Sequence, residues 1–380
     1  MHDFLLKEIY SDDLKKELDI IGFDDSYSAK AVDKFRYKNI KLYNLSVAQA
    51  NILKQAALSV GADCATNKQV ITGQVEKSDC ILGGSISQLI KISQKLEMQP
   101  FGLKELGKLL KNKLSCNDFQ KTKIMGILNI TQNSFSDGGE FYDFEDSIKQ
   151  LNKLITDGAD IIDIGAESAK PYSSAVQSQK QLDKLLPVLC YIKENDIKIP
   201  VSIDTRSAYV AQKCIETGVV AIINDVSGFD YDEKMVDVIA QNPKIKIVIQ
   251  HSLGTPENMQ NSPHYENLMD EIYKNLYKKV NFAIEKGIQR ENIIIDPGIG
   301  FGKTKENNFE ILRRWKELKT IGTPVLIGLS RKSLLDMQNA SNEEKDIYSL
   351  ALNSVLISEN IDYVRVHNVK IHKKFRDIWG

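Results

Sequence analysis

From Lys123 to the C-terminus the chain repeats one pattern. A short apolar run is followed by a polar or ionisable residue and then by a stretch long enough for a helix. The runs are Ile124–Leu128, Ile161–Ile164, Val201–Ile203, Ala221–Ile223, Ile245–Ile249, Ile293–Ile295, Val325–Ile327 and Tyr363–Val366. They are rich in Ile and Val and do not alternate with polar residues, which is how strands covered on both faces read. Eight such runs with intervening helices predict a closed parallel (β/α)8 barrel of about 260 residues, near the usual size for that fold. An open doubly wound sheet would call for G-x-G-x-x-G after the first strand, and none stands there. Helix boundaries are also marked. Asp146 and Ser147 suit the start of the first helix and Asp157-Gly158 its end; Ser207–Glu216 closes at Gly218, and Glu266–Glu285 closes at Gly287.

Ahead of this rhythm the texture changes. Up to about Gln120 the chain is Lys-rich and its strand signals are scattered. Ile40–Leu45 and Val70–Thr72 read as strands; Val47–Val60, Ser87–Glu97 and Leu103–Leu110 have helical spacing. The prediction is a small α/β domain over residues 1–118, a polar linker within Lys111–Lys123, and the barrel over 119–380.

Composition narrows the partners. Hydrophobic residues make up 42% of the chain and charged residues 27%, ordinary for a globular protein. A net charge of -1 gives no field that favours nucleic acid or a membrane surface, so an anionic ligand needs a local basic cluster. The five cysteines (Cys64, Cys80, Cys116, Cys190, Cys214) show no C-x-x-C spacing, which predicts buried reduced thiols rather than a disulfide framework or zinc site. Met1–Tyr10 lacks the apolar run of a signal peptide and no stretch reaches membrane-spanning length, so the expected location is cytoplasmic.

The chemistry lies at the C-terminal ends of the predicted strands. There stand Asn129, Asp163 with Glu167, Asp204, Asn224 with Asp225, His251, Asp296, Ser330 to Lys332, and Arg365 with His367. Taken singly, Asp163 and Asp225 are equally well read as helix N-caps. In a barrel, however, all these ends converge on one face, where active sites form. No G-x-S-x-G, P-loop or H-E-x-x-H occurs. The mouth combines an acidic and amide surface (Asp204, Asn224, Asp296), suited to the donors of a flat amino-heterocycle, with a basic and polar one (Arg365, His367, Asn129, Lys332), suited to phosphate or diphosphate.

These motifs, in this order, resemble the dihydropteroate synthase family. The segments are Met125–Gly139 (MGILNITQNSFSDGG), Asp163–Pro171 (DIGAESAKP), Ser202–Thr205, Ile223–Gly228, His251 with Gly254-Thr-Pro and Met259-Gln260, Asp296–Thr304 (DPGIGFGKT), Gly328–Lys332 and Arg365-Val-His367. The resemblance implies a folate-biosynthetic transferase that joins a dihydropterin diphosphate to p-aminobenzoate by a dissociative substitution, and a target of sulfonamides. It implies that Asp204, Asn224, Asp296 and Lys332 bind the pterin, and that Asn129, Arg365 and His367 bind the diphosphate. Mg2+ would bridge the diphosphate at Asn129. Phe135, Ser168, Ala169, Lys170, Pro171, Phe301 and Ser330 would wall the p-aminobenzoate pocket. Asp137, with Lys332 and Asn129, would assist catalysis, and Gly138-Gly139 would hinge a closing loop. A homodimer through late barrel helices is also implied.

The chain departs from the family pattern in its loops. Thr131-Gln132-Asn133 stands for T-P-D, Ala169-Lys170 for Thr-Arg, and Asn368 for the Asp after His367. Two other readings follow from the same residues. A pterin-binding methyltransferase would keep the Asp and Asn slot but need no anion pocket, and a non-catalytic pterin-binding paralogue would suit the loop changes. The first 118 residues carry no motif that assigns them a role.

Overall fold

The computed structural model describes residues 7, 9, 14–114, 121–130, 144–167, 176–253, 263–336 and 340–379. The chain divides into two compact units, Met1–Asp118 and Phe119–Gly380.

In the first unit, helices α1 (Leu14–Ile20) and α2 (Asp25–Phe35) precede β1 (Tyr37–Ser46), α3 (Val47–Leu58), β2 (Asp63–Thr66), β3 (Lys77–Ser85), α4 (Ile86–Leu96) and α5 (Leu103–Leu114). The strands form an antiparallel sheet in the order β1-β3-β2. A core built from Leu45, Ala50, Leu53, Cys64, Cys80, Leu82, Leu89, Ile92 and Leu96 joins sheet to helices. Both α3 and α4 begin at a strand-terminal serine that accepts from the third residue on, a glutamine whose side chain reaches back to the serine N–H. Ser46, Gln49, Leu53 and Ala57 thus have counterparts at Ser85, Gln88, Ile92 and Leu96, one constant spacing on.

Two expectations fail in this unit. Val70–Thr72 is a turn closed by the Val70 carbonyl accepting from Gly73 N–H, not a strand. The stretch Lys111–Lys123 is not wholly linker, since α5 runs on to Leu114 and Lys123 opens the next strand.

The second unit contains β4 (Lys123–Asn129), α6 (Phe144–Thr156), β5 (Ile161–Gly165), α7 (Ser178–Glu194), β6 (Val201–Asp204), α8 (Ala208–Ile215), β7 (Val220–Asp225) and α9 (Lys234–Gln241). It continues with β8 (Lys246–Gln250), α10 (Leu268–Glu285), β9 (Ile293–Asp296), α11 (Lys305–Arg314), β10 (Leu326–Ile327), α12 (Asn342–Ser358), β11 (Tyr363–Val366) and α13 (Val369–Trp379). The sheet is parallel in the order β10-β11-β4-β5-β6-β7-β8-β9. It closes through the Ile295–Val325 bridge, with Ile295 N–H donating to the Pro324 carbonyl at 2.9 Å. The predicted (β/α)8 barrel is therefore the observed one.

Strand alternation sorts the side chains. Ile124, Ile162, Ile164, Ile203, Ile223, Ile247, Ile249, Ile293, Ile295, Ile327, Val364 and Val366 face outward and pack under the helices. Met125, Ile161, Ile222, Val248, Ile294, Leu326 and Tyr363 face inward and fill the N-terminal half of the barrel. One pleat further along, the inward positions turn polar: Asn129, Asp163, Asp204, Asn224, Gln250, Asp296 and Arg365. The apolar layer is a packed floor, and the polar layer above it is the bottom of a pit.

The thiol expectation holds for Cys64, Cys80 and Cys214, which are buried, but Cys190 is exposed on α7; Cys116 lies outside the described residues. Among the described residues no helix is long and apolar enough to cross a membrane.

The loop after β9 depends on Gly298. Its φ is +69°, and a Cβ there would lie 1.9 Å from the His251 carbonyl oxygen. Gly298→Ala should lower unfolding stability by about 3 kcal/mol, through backbone strain and steric overlap. Chemical denaturation checks this; a loss under about 0.5 kcal/mol would mean the loop relaxes freely.

Candidate active site

The pit is organised by Arg365. Its Nε donates to Asp163 Oδ2 at 2.6 Å and its Nη2 to Asp204 Oδ2 at 2.6 Å. Arg365 starts on β11 and reaches across β4 to carboxylates on β5 and β6. Space for that reach comes from two inward glycines: a Cβ on Gly328 would lie 3.5 Å from Arg365 Cβ, and one on Gly165 3.3 Å from Asp204 Cβ. Asn224 Nδ2 donates to the same Asp163 Oδ2 at 3.1 Å. Asp163 is fully buried, and its Oδ1 has no hydrogen-bond partner among the described residues.

Asp204 sits beside Asn224 in the β6–β7 register. Burial pushes its carboxyl up to about 7; Arg365 opposes that shift, while Asp163 and Glu167 add to it. Asp296, at the end of β9, accepts from Gly298 N–H at 2.7 Å and is likewise raised by burial. Lys332 lies over the Phe301 ring, its Nζ 4.5 Å from the centroid, and donates to the Ile299 carbonyl. Burial lowers its ammonium to about 8, with Asp296 opposing. Asp163, Asp204 and Asp296 thus face Arg365 and Lys332, with Lys303 close enough to act on both Asp296 and Lys332.

At the same end of the barrel, after β10 and β11, Ser330 Oγ lies 3.0 Å from His367 Nδ1 and accepts from His367 N–H at 3.2 Å. The residue between Ser330 and Lys332 turns away: Arg331, at φ +58°, makes a two-pronged pair with Asp346 at 2.9 and 2.8 Å. That left-handed residue lets its two neighbours both face the pit.

The structure therefore brings together Asn129, Asp204, Asn224, Asp296, Lys332, Phe301, Ser330, Arg365 and His367 at one end of one barrel. Three strand-end candidates are engaged elsewhere. Asp225 accepts from Ser227 N–H, Ser227 Oγ and Phe229 N–H, and so shapes the loop after β7. His251 Nδ1 is 3.0 Å from Lys303 Nζ, and burial together with Lys303 keeps the ring neutral. Glu167 pairs with Arg206 at 2.9 Å and accepts from Val176 N–H at 3.2 Å. Phe135, Asp137, Ser168, Ala169, Lys170 and Pro171 lie outside the described residues, as do Gln132, Asn133 and Gly138-Gly139. Asn368 caps α13, its Oδ1 accepting from Ile371 N–H.

Two buried residues carry more weight than the sequence suggested. Asp163 is not an N-cap, since α7 starts beyond Gln177; its inward parity in β5 was the available signal. Lys303 is buried, donates to the Phe301 carbonyl at 3.0 Å, and is pushed down to about 7 by burial. It ties the loop after β8 to the loop after β9.

Comparison with known proteins agrees with this geometry. Residues 125–367 match the family described as "Pterin binding enzyme". The dihydropteroate synthase of Clostridium beijerinckii is 40% identical over 252 residues, covering 66% of this chain and 90% of that one. The bifunctional dihydropteroate synthase/dihydropteroate reductase of Helicobacter pylori is 31% identical over 375 residues, covering 97% of this chain and 96% of that one. This chain spans 40% of the length of a bifunctional folylpolyglutamate synthase/dihydropteroate synthase of Haloferax volcanii, at 32% identity. A solved Clostridium difficile dihydropteroate synthase, crystallised in the presence of pteroic acid, superposes with a TM-score of 0.63 at 36% identity, covering 69% of this chain and 96% of that one. With a buried polar layer of this kind at the barrel mouth and relatives alike over that whole barrel, the chain belongs to the pterin-binding enzymes, in the dihydropteroate synthase family.

Proposed function

We propose that the barrel joins a dihydropterin methyl diphosphate to p-aminobenzoate, giving dihydropteroate and diphosphate. The observation that carries this reading is the polar layer itself: acceptors on β6, β7 and β9 face cations on β11 and in the loop after β10, within one desolvated pit. Asp204, Asn224 and Asp296 supply acceptors for the amino-pyrimidine edge, and a buried acceptor left unmatched by a wrong ring is costly. Asn129, Arg365 and His367 would take the diphosphate, and Ser330 and Phe301 would wall the p-aminobenzoate pocket. The C–O bond to diphosphate breaks, its electron pair leaving with the diphosphate. The p-aminobenzoate nitrogen then forms the C–N bond and releases a proton. Ionised carboxylates beneath the ring would stabilise the positive charge that develops on the substrate.

Mg2+ belongs to the same proposal. Among the described residues no cluster of three or more His, Cys, Asp or Glu could hold a metal by protein groups alone. Asn129, at the end of β4, would offer the ion one amide oxygen. When bound, the ion would neutralise the leaving diphosphate. A cytoplasmic homodimer is the setting proposed for the enzyme.

A second reading concerns the whole chain. The likeness to the Helicobacter pylori bifunctional protein spans both units rather than the barrel alone. We infer that the chain also reduces dihydropteroate, adding a hydride and a proton to the C=N bond of the barrel's product.

The direct assay is formation of dihydropteroate from dihydropterin methyl diphosphate and p-aminobenzoate, with a sulfonamide competing against p-aminobenzoate. Absence of product with correctly folded protein contradicts the first reading. For the second, oxidation of a dihydronicotinamide or of reduced flavin should depend on added dihydropteroate; a rate unaffected by dihydropteroate with every donor contradicts it.

The pH dependence of kcat/KM for the pterin substrate should be bell-shaped. Asp204 must be ionised to accept ring donors, so activity falls as pH drops through about 7. Lys332 must keep its proton to donate, so activity falls as pH rises through about 8. In Asp204→Asn the acid limb should vanish; its persistence would assign that limb to another group.

A further inference from the structure

We propose that Asp163 is a positioning residue: it fixes the donor–acceptor pattern of the pterin slot by holding the Asn224 amide in one orientation while anchoring Arg365. The proposal rests on the reading of the barrel as a pterin site and adds a residue that does not touch the ring.

The two ends of an asparagine amide are nearly the same size, but one donates and the other accepts. In a pit lined by carboxylates, Nδ2 would have several acceptors to choose from. Asp163 removes that choice. Its carboxylate is fully buried one inward position below Gly165, and Oδ2 takes the Asn224 Nδ2 hydrogen at 3.1 Å. The reverse orientation would set amide oxygen against carboxylate oxygen. Asn224 Oδ1 is therefore the atom left to face a ligand, as an acceptor matched to ring N–H or amino donors.

The same Oδ2 accepts from Arg365 Nε at 2.6 Å. Both bonds converge on one oxygen, and Oδ1 is buried with no partner among the described residues. A carboxylate present only to satisfy the core would use both oxygens, because leaving one unmade is costly. The α7 cap is Gln177, so no capping duty accounts for Asp163. What the arrangement achieves is one atom through which the heterocycle side (Asn224) and the anion side (Arg365) of the pit share a fixed reference.

The experiment measures binding of 6-hydroxymethylpterin and of inorganic diphosphate by calorimetry, with circular dichroism and thermal midpoints as fold controls. In Asp163→Leu the shared acceptor is gone, so neither the Asn224 amide nor Arg365 is held. Pterin affinity is expected to fall tenfold or more, and diphosphate affinity by at least threefold. Asp163→Asn keeps one oxygen able to take both hydrogens, with its NH2 in the place of the unused Oδ1, and pterin affinity should stay within about threefold of wild type. If Asp163→Leu does not fold, Asp163→Ala takes its place with the same expectation. Wild-type pterin affinity in the folded Leu or Ala variant, or an Asp163→Asn variant tenfold or more weaker than wild type, overturns the proposal. A wild-type protein that binds no pterin overturns instead the reading of the barrel on which it rests, and the two failures are thereby distinct.

Discussion

Arg365 makes the pit of this barrel possible. Asp163 is wholly buried and the side chain of Asp204 is 11% exposed, and two carboxylates so close in a low-dielectric interior would not both stay ionised on their own. One guanidinium serves both through separate nitrogens, and its planar fork suits that double duty in a way an ammonium would not. Compensation is incomplete, as the upward shift of Asp204 to about 7 shows. Under the proposed function, a site poised in this way would recognise a polar heterocycle, tolerate developing positive charge, and keep cationic groups for an anion. Stability and function thus draw on the same few contacts.

The barrel supports those contacts by dividing its interior in two. The inward positions of the N-terminal half are apolar and packed, which gives the upper layer a dry, rigid floor. Loops then finish the geometry. Gly298 lets the chain fold back against the His251 carbonyl, Lys303 links the loops after β8 and β9, and Arg331 anchors the Ser330–Lys332 turn to α12. None of these three residues belongs to the polar layer, yet the Gly298 N–H holds Asp296 and Arg331 sets the turn that carries Lys332.

The strands were legible because outward and lower inward positions are both apolar, so each reads as an unbroken Ile/Val run. The same continuity hid the alternation that separates core from site. Asp163 lies in mid-strand, two residues before the end of β5, and reads in isolation as a cap. Asp225 stands at a strand end but one position off the inward parity of Asn224, and it serves the following loop. Parity, not proximity to the strand end, distinguishes the two. In the first unit, α1, α2, β2 and β3 escaped detection. β3 contains Gly83-Gly84 and carries its core pattern on Ser78, Cys80 and Leu82, a weak alternation. Val70–Thr72 mimicked a strand because Val and Ile occur together inside a tight turn. The repeated serine–glutamine caps of α3 and α4, which the apolar spacing alone does not use, are the sharper signal, since each satisfies helix-end donors locally, whatever lies around it.

The central claim is that a single inward layer of the barrel receives the pterin. A crystal structure with a non-hydrolysable dihydropterin methyl diphosphate analogue tests it most directly. The ring should lie within hydrogen-bonding distance of Asp204, Asn224 and Asp296, with the phosphates turned toward Arg365 and His367. A ring bound elsewhere, or seated in the pit without contact to Asn224 and Asp296, would contradict it.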